Sequence, residues 1–205
     1  MKKLAPSSDT SSQILGGITD RNGHFLLESR YHTDTWFDLD ALFIDPAPMA
    51  PQVDALAALI RPHEVSAICG PLLGGAFLAQ ALAAAMGARF YYCEKIASDS
   101  SSGLYGARYR LPAGLRPHAA KERFAVVDDV ISAGSSVRAV VAELDAASAR
   151  TIVVGSLLVL GTKATDYFAS VDIPIVTLDR RAFQTWIPAE CPLCRDGVVL
   201  ESRAD

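Results

Sequence analysis

Phe124-Ala125-Val126-Val127-Asp128-Asp129-Val130-Ile131-Ser132-Ala133-Gly134-Ser135-Ser136 is the stretch on which the fold turns. An apolar run reads as a buried strand, two acids follow, and a turn of small residues opens a helix over residues 135–147. The first amides of a helix have no partner within it, so carboxylates and unpaired N–H groups converge in one short loop. Gly134 allows the backbone to approach a ligand closely. Acids suit two neighbouring hydroxyls of a sugar, and the amides and hydroxyls of Ser132 to Ser136 suit a monophosphate. A bare pair of acids closing a strand, or a serine capping a helix, is common in α/β proteins. The complete pattern is what carries the assignment.

Outward from this loop the chain alternates. Residues 65–69, 89–93, 124–128, 151–159 and 173–178 read as strands, and residues 50–61, 75–86, 135–147 and 163–170 as helices. Such alternation predicts an α/β fold: a central, mostly parallel five-stranded sheet flanked by helices, with ligands at the carboxyl ends of the strands. The 205 residues suit one domain over 1–205. Segments 20–45 and 180–205 stand outside the alternation and are expected to form a small hood. Residues 94–117, with Ser98 to Gly103 and no apolar periodicity, read as a mobile lid loop. Residues 1–14 are polar and expected to fray.

A net charge of -4 argues against a general polyanion binder, so no nucleic acid partner is expected and any phosphate site must be local. Lys2 and Lys3 precede no apolar stretch, which predicts no signal peptide and a cytoplasmic protein. The longest weakly polar stretch, 72–88, is rich in Gly and Ala and broken by Gln80, so no membrane span is expected. Cys69 and Cys93 end apolar runs and read as small buried hydrophobes. Cys191 and Cys194 have zinc-knuckle spacing, but a structural site needs a second ligand pair and none stands out in the sequence. The usual P-loop, dinucleotide-binding and nucleophile-elbow motifs are absent.

Over all thirteen positions, 124–136 resembles the phosphoribosyl pyrophosphate (PRPP) signature of type I phosphoribosyltransferases. Residues 23–34, Leu178-Asp179-Arg180 and the tail 190–200 further resemble the orotate phosphoribosyltransferases. That tail is similar to the ending of one bacterial and archaeal branch, which favours a family tail over a zinc site. The resemblance implies transfer of 5-phosphoribosyl from PRPP to orotate, giving orotidine 5'-phosphate and pyrophosphate in pyrimidine nucleotide biosynthesis. It implies that Asp128, Asp129, Ser132, Ala133, Gly134, Ser135 and Ser136 bind PRPP, and that Gly70-Pro71-Leu72-Leu73-Gly74 grips pyrophosphate. Magnesium would be held mainly by substrate, water-bridged to an acid such as Asp128. A homodimer is implied as well.

Bond breaking builds negative charge on the departing pyrophosphate, so cations near it lower the barrier. The lid offers Lys95, Arg108 and Arg110 as catalytic groups. For the base, the resemblance implies Arg180, while His32, Trp36 and Phe37 are candidate pocket residues, with a Trp-Phe pair as core the alternative. Departures stand beside these matches. Glu28 occupies a position where many orotate enzymes have a base-binding lysine, Gly74 replaces a lysine that some use on pyrophosphate, and the lid lacks their Lys-, His- and Gly-containing pattern. Two alternatives follow: a phosphoribosyltransferase for another base, or a non-catalytic nucleotide sensor of the same fold.

Overall fold

The computed structural model describes residues 19–45, 47–97 and 103–202. The expected frayed start over 1–14 and the serine-rich lid tip at 98–102 lie outside the described residues. In chain order come a hairpin of β1 (Thr19–Leu26) and β2 (His32–Asp38), then α1 (Ala50–Ile60), β3 (Ala67–Pro71), α2 (Gly74–Met86) and β4 (Arg89–Ile96). Next are β5 (Arg108–Arg110), α3 (Arg116–Ala119), β6 (Arg123–Ile131), α4 (Ser135–Ala146), β7 (Arg150–Leu160) and α5 (Lys163–Ser170). The chain closes with β8 (Ile175–Arg181), α6 (Pro192–Arg195) and β9 (Glu201–Ser202). No helix among the described residues is long and apolar enough to cross a membrane.

Strand β6 explains its own apolar run. Val126 packs into a layer with Val137, Val140 and Leu144 of α4 and Phe168 of α5, while Ala125 and Val127 face Leu56 and Ile60 of α1 and Leu78 and Leu82 of α2. A strand covered on both faces has no solvent side, so the polar half of the alternation is missing. Each such Val or Leu contributes roughly 1.5–3 kcal/mol by its burial.

The main sheet has the order β5-β4-β3-β6-β7-β8. Five strands are parallel, and β5 pairs antiparallel with β4. Six strands rather than five is the first correction to the sequence expectation. The sixth comes from the segment expected to be an irregular loop: Glu94, Lys95 and Ile96 pair with Arg110, Tyr109 and Arg108. Tyr109 and Leu111 are buried, which anchors the base of this arm.

Strand order reverses between β3 and β6, because the chain leaves β3 for β4 on one side and leaves β6 for β7 and β8 on the other. Connections therefore diverge there and leave a crevice at the carboxyl ends, where ligands of open α/β sheets bind. Over one end lies a second sheet of order β2-β1-β9, which joins the N-terminal hairpin to the C-terminal tail.

Candidate active site

Both motifs singled out in the sequence end at the strand-order reversal. Gly70 stands within β3, and a β-carbon added there would lie 2.0 Å from the Gly75 carbonyl oxygen, so the turn into α2 closes only on glycine. Its Leu72–Leu73 peptide is cis. A β-carbon on Gly75 would lie 2.6 Å from Asp128 Oδ1, and one on Gly74 would lie 2.8 Å from Asp129 Oδ2. The first turn of α2 thus packs directly on the acid pair. Asp129 joins Asp128 within β6, which runs three residues further than its sequence pattern suggested.

Asp128 is buried, with Oδ2 accepting the Ser136 hydroxyl at 2.7 Å and Oδ1 accepting the Asp129 N–H at 3.2 Å. Burial first, and the neighbouring Asp129 charge second, push the Asp128 carboxyl well above the usual carboxylate range, against the Ser136 hydrogen bond. The folded protein therefore holds this proton more tightly than the unfolded chain does. Its contribution to stability is complete below the ordinary carboxylate pKa, about 3.9, and is lost as pH rises through the folded value. Asp128→Asn is uncharged at every pH. It is expected to melt at a higher temperature than the parent at neutral pH, and the gap should close in thermal scans taken below about pH 4.

Helix α4 begins at Gly134, which has φ 81° and provides no side-chain cap, so the first amides of the helix face the loop. Ser135 Oγ is buried and has no hydrogen-bond partner among the described residues. An unpaired buried hydroxyl beside uncapped amides fits an anion that supplies the acceptors. Ser132 and Ala133 line a cavity of about 180 Å³ with Gly161, Thr162, Lys163 and Phe183. Sequence reasoning missed Lys163 and Phe183. The available signal was topological: Lys163 opens α5 just after the carboxyl end of β7, beside β6.

Of the three cations expected from residues 94–117, Lys95 is half-exposed and turns toward Glu28. Lys95 and Tyr109 are cross-strand neighbours, and both reach Glu28 Oε1, Lys95 Nζ at 2.9 Å and the Tyr109 hydroxyl at 3.1 Å. Burial, then the Glu28 and Asp128 charges, push the Tyr109 hydroxyl far up, so it keeps its proton and donates it to Glu28. Arg108 and Arg110 flank Tyr109 on a strand that buries only its middle residue, so they project from the opposite, exposed face. Arg110 lies 3.8 Å from Glu94. The structure thus does not bring these two arginines to the acid pair of their own chain.

The expected base-binding residues also need correction. His32 is buried, its Nδ1 3.0 Å from His24 Nε2 and 3.3 Å from Cys194 Sγ, and it lies in the hood rather than in the cavity. Phe37 packs on Phe183 with ring centroids 6.0 Å apart, supporting the cavity wall. Arg180 is exposed on the edge strand β8, where its guanidinium donates to Thr165 Oγ1 at 3.0 Å and turns back toward Ile175. Its neighbour Arg181 pairs with Asp179 at 3.1 Å.

No protein-family model matches the chain. Curated relatives do. The chain is 30% identical over 179 residues to the orotate phosphoribosyltransferase of Thermus thermophilus, a match that covers 87% of this chain and 91% of the relative. It belongs to the orotate phosphoribosyltransferase family. Against the family member of Thermoanaerobacter it is 28% identical over 180 residues, covering 87% of this chain and 86% of that protein. Among solved structures, the orotate phosphoribosyltransferase of Aeropyrum pernix superposes with a TM-score of 0.63 at 20% identity, over 83% of this chain and 92% of that one. The adenine phosphoribosyltransferase of Rhodothermus marinus reaches 0.66 at 15% identity, over 85% and 100%. At these identities the likeness is one of type I phosphoribosyltransferase fold. That orotate and adenine enzymes share it means the fold does not choose the base.

Proposed function

We propose that this family member transfers the 5-phosphoribosyl group from PRPP to orotate, releasing pyrophosphate and forming orotidine 5'-phosphate. One observation carries the sugar-phosphate half. The acid pair of β6 is packed against the Gly74–Gly75 turn on one side, and the uncapped start of α4 with its unpaired Ser135 hydroxyl follows on the other. Such a site holds the ribose hydroxyls at Asp128 and Asp129, the 5'-phosphate at Ser132 to Ser136 and the pyrophosphate at the amides after Gly70.

Two adjacent carboxylates are hard oxygen donors of the kind that magnesium takes up together with substrate oxygens. Asp128 and Asp129 would hold that ion, which supplies charge neutralisation at the pyrophosphate. The chain's own residues orient the rest. Ser136 fixes Asp128, Glu28 and Tyr109 fix Lys95, and Lys95 is placed to stabilise charge on the leaving group.

For the base, the cavity between Ala133 and Phe183 offers a mainly polar lining that includes Ser132, Thr162 and Lys163, with Phe183 as its aromatic member. Arg180 lies beside the same helix and reaches an anionic base by a rotamer change. Glu28, whose negative charge would oppose an anionic base, is neutralised by Lys95 at 2.9 Å, which reconciles that departure with an acidic substrate. The exposed Arg108 and Arg110 suit a neighbouring subunit's site in a homodimer.

Lys95→Ala is expected to lower kcat/KM on the order of tenfold or more with the melting temperature little changed, since Lys95 is half-exposed. Steady-state rates of the two proteins would check it. Turnover of orotate, uracil, adenine and hypoxanthine with PRPP tests the base assignment. Orotate should exceed the others, and a strict purine preference would overturn it.

A further inference from the structure

We propose that His24, His32, Cys191 and Cys194 form a structural zinc site that staples the C-terminal tail onto the β1–β2 hairpin. The four ligand atoms lie within 4.8 Å of one another. His24 Nε2 is 3.0 Å from His32 Nδ1, 3.4 Å from Cys191 Sγ and 3.7 Å from Cys194 Sγ, and Cys194 Sγ is 3.3 Å from His32 Nδ1. A tetrahedral ion with Zn–S near 2.3 Å and Zn–N near 2.0 Å separates its ligand atoms by about 3.3–3.8 Å. Four of the six separations, 3.0–3.7 Å, come close to these edges and the other two lie within 4.8 Å, so small side-chain shifts close the cluster into an S2N2 tetrahedron, the arrangement that selects zinc among common divalent ions.

Each element of the local fold aims these atoms. Between Asn22 and Phe25 the β1–β2 register shifts, so two residues of β1 face one of β2. Such a bulge re-aims a side chain, and His24 sits in it, buried next to an equally buried Phe25. The His24 ring donates its Nδ1 proton to the Val198 carbonyl at 2.9 Å, which leaves the Nε2 lone pair facing the sulfurs. Protein zinc sites fix their histidines in this way. Cys191 stands just before α6 and Cys194 within it. Gly197, at φ 73°, donates its N–H to the Cys194 carbonyl at 3.1 Å, and Val198 donates to the Leu193 carbonyl at 2.9 Å. The chain is thereby folded into a knuckle that presents both sulfurs to the hairpin.

The tail needs such a staple. Beyond the cluster Val198, Val199 and Leu200 are exposed, and β9 contributes only Glu201 and Ser202 beside Phe25 and Leu26. Two residues of pairing and an exposed ion pair between Arg21 and Glu201 do not hold a segment in place. Four protein ligands fill a tetrahedral ion and leave no position for substrate, so the role is structural. The same hairpin leads to Glu28, which contacts Lys95, and the ion therefore fixes one wall of the crevice indirectly. The proposal does not depend on which base is used, and its readouts are independent of turnover.

The test is metal analysis of the full-length protein together with the Cys191→Ser/Cys194→Ser double variant. Mass spectrometry of the purified proteins should find one zinc ion per chain in the parent and less than about a tenth as much in the variant. Cobalt put in place of zinc should give the visible bands of tetrahedral thiolate coordination in the parent alone. A strong chelator should lower the parent's melting temperature, with recovery on adding zinc but not magnesium. Should the variant fail to fold, a thiol-blocking mercurial on the parent must release one zinc per chain as the two thiols react. Absence of zinc from the parent even after zinc is supplied, zinc retained by a folded double variant, or an octahedral cobalt spectrum would each overturn the proposal. So would a Cys191–Cys194 disulfide in protein kept under reducing conditions.

Discussion

Asp129→Asn and Asp128→Asn are each expected to lower kcat/KM for phosphoribosyl transfer on the order of 10²- to 10³-fold in a protein that remains folded. The amide keeps the shape of the acid but loses its charge and replaces an acceptor by a donor. At Asp128 the lost charge is one that burial already opposes, so activity falls while stability at neutral pH rises. Opposite signs in the two measurements separate a functional carboxylate from a structural one. A purely structural Asp128, bonded to Ser136 to finish the loop, would lose both together. The check is pyrophosphate release in steady state beside a thermal melt of the same samples.

Gly75→Ala should have the second large effect. Its new β-carbon would lie 2.6 Å from Asp128 Oδ1, 2.6 Å from Pro71 Cδ and 2.9 Å from the Val127 carbonyl oxygen. The last of these belongs to the backbone of the central strand, so the strand cannot give way and the start of α2 must retreat. Overpacking of this kind costs about 1–3 kcal/mol. Retreat also withdraws the α2 amides from the acids, and displacement by about 1 Å lowers rates on the order of 10²-fold. Gly114→Ala is the control, because its β-carbon would meet nothing within 4 Å. Unfolding and turnover of the two variants should diverge sharply, and equal behaviour would show that the turn does not pack on the acids as described.

The parts of the fold that were legible share a physical cause. Strands β3, β6 and β7 are buried on both faces, so their apolar runs stand out at a glance, and α4 follows a turn of small residues. The Asp128 to Ser136 loop was legible for the same reason, since all its parts are contiguous. Strand β5 was not, because three residues, Arg108–Arg110, are too few to set a period and their partner β4 lies beyond the lid tip. His24 and His32 face each other only through a bulged hairpin, and they meet Cys191 and Cys194 from the far end of the chain. No spacing rule links such positions. For Arg180 resemblance supplies a backbone position but not a rotamer, and here the guanidinium lies along the sheet edge on Thr165.

Pyrophosphate release from PRPP and magnesium, followed with and without orotate while orotidine 5'-phosphate is quantified, tests the central assignment most directly. Orotate-dependent release with product and pyrophosphate in equal amounts, abolished in the Asp128→Asn/Asp129→Asn double variant, is the expected result. Release at the same background rate in parent and double variant, with no orotidine 5'-phosphate, would contradict it and leave a protein that binds nucleotide precursors without transferring them.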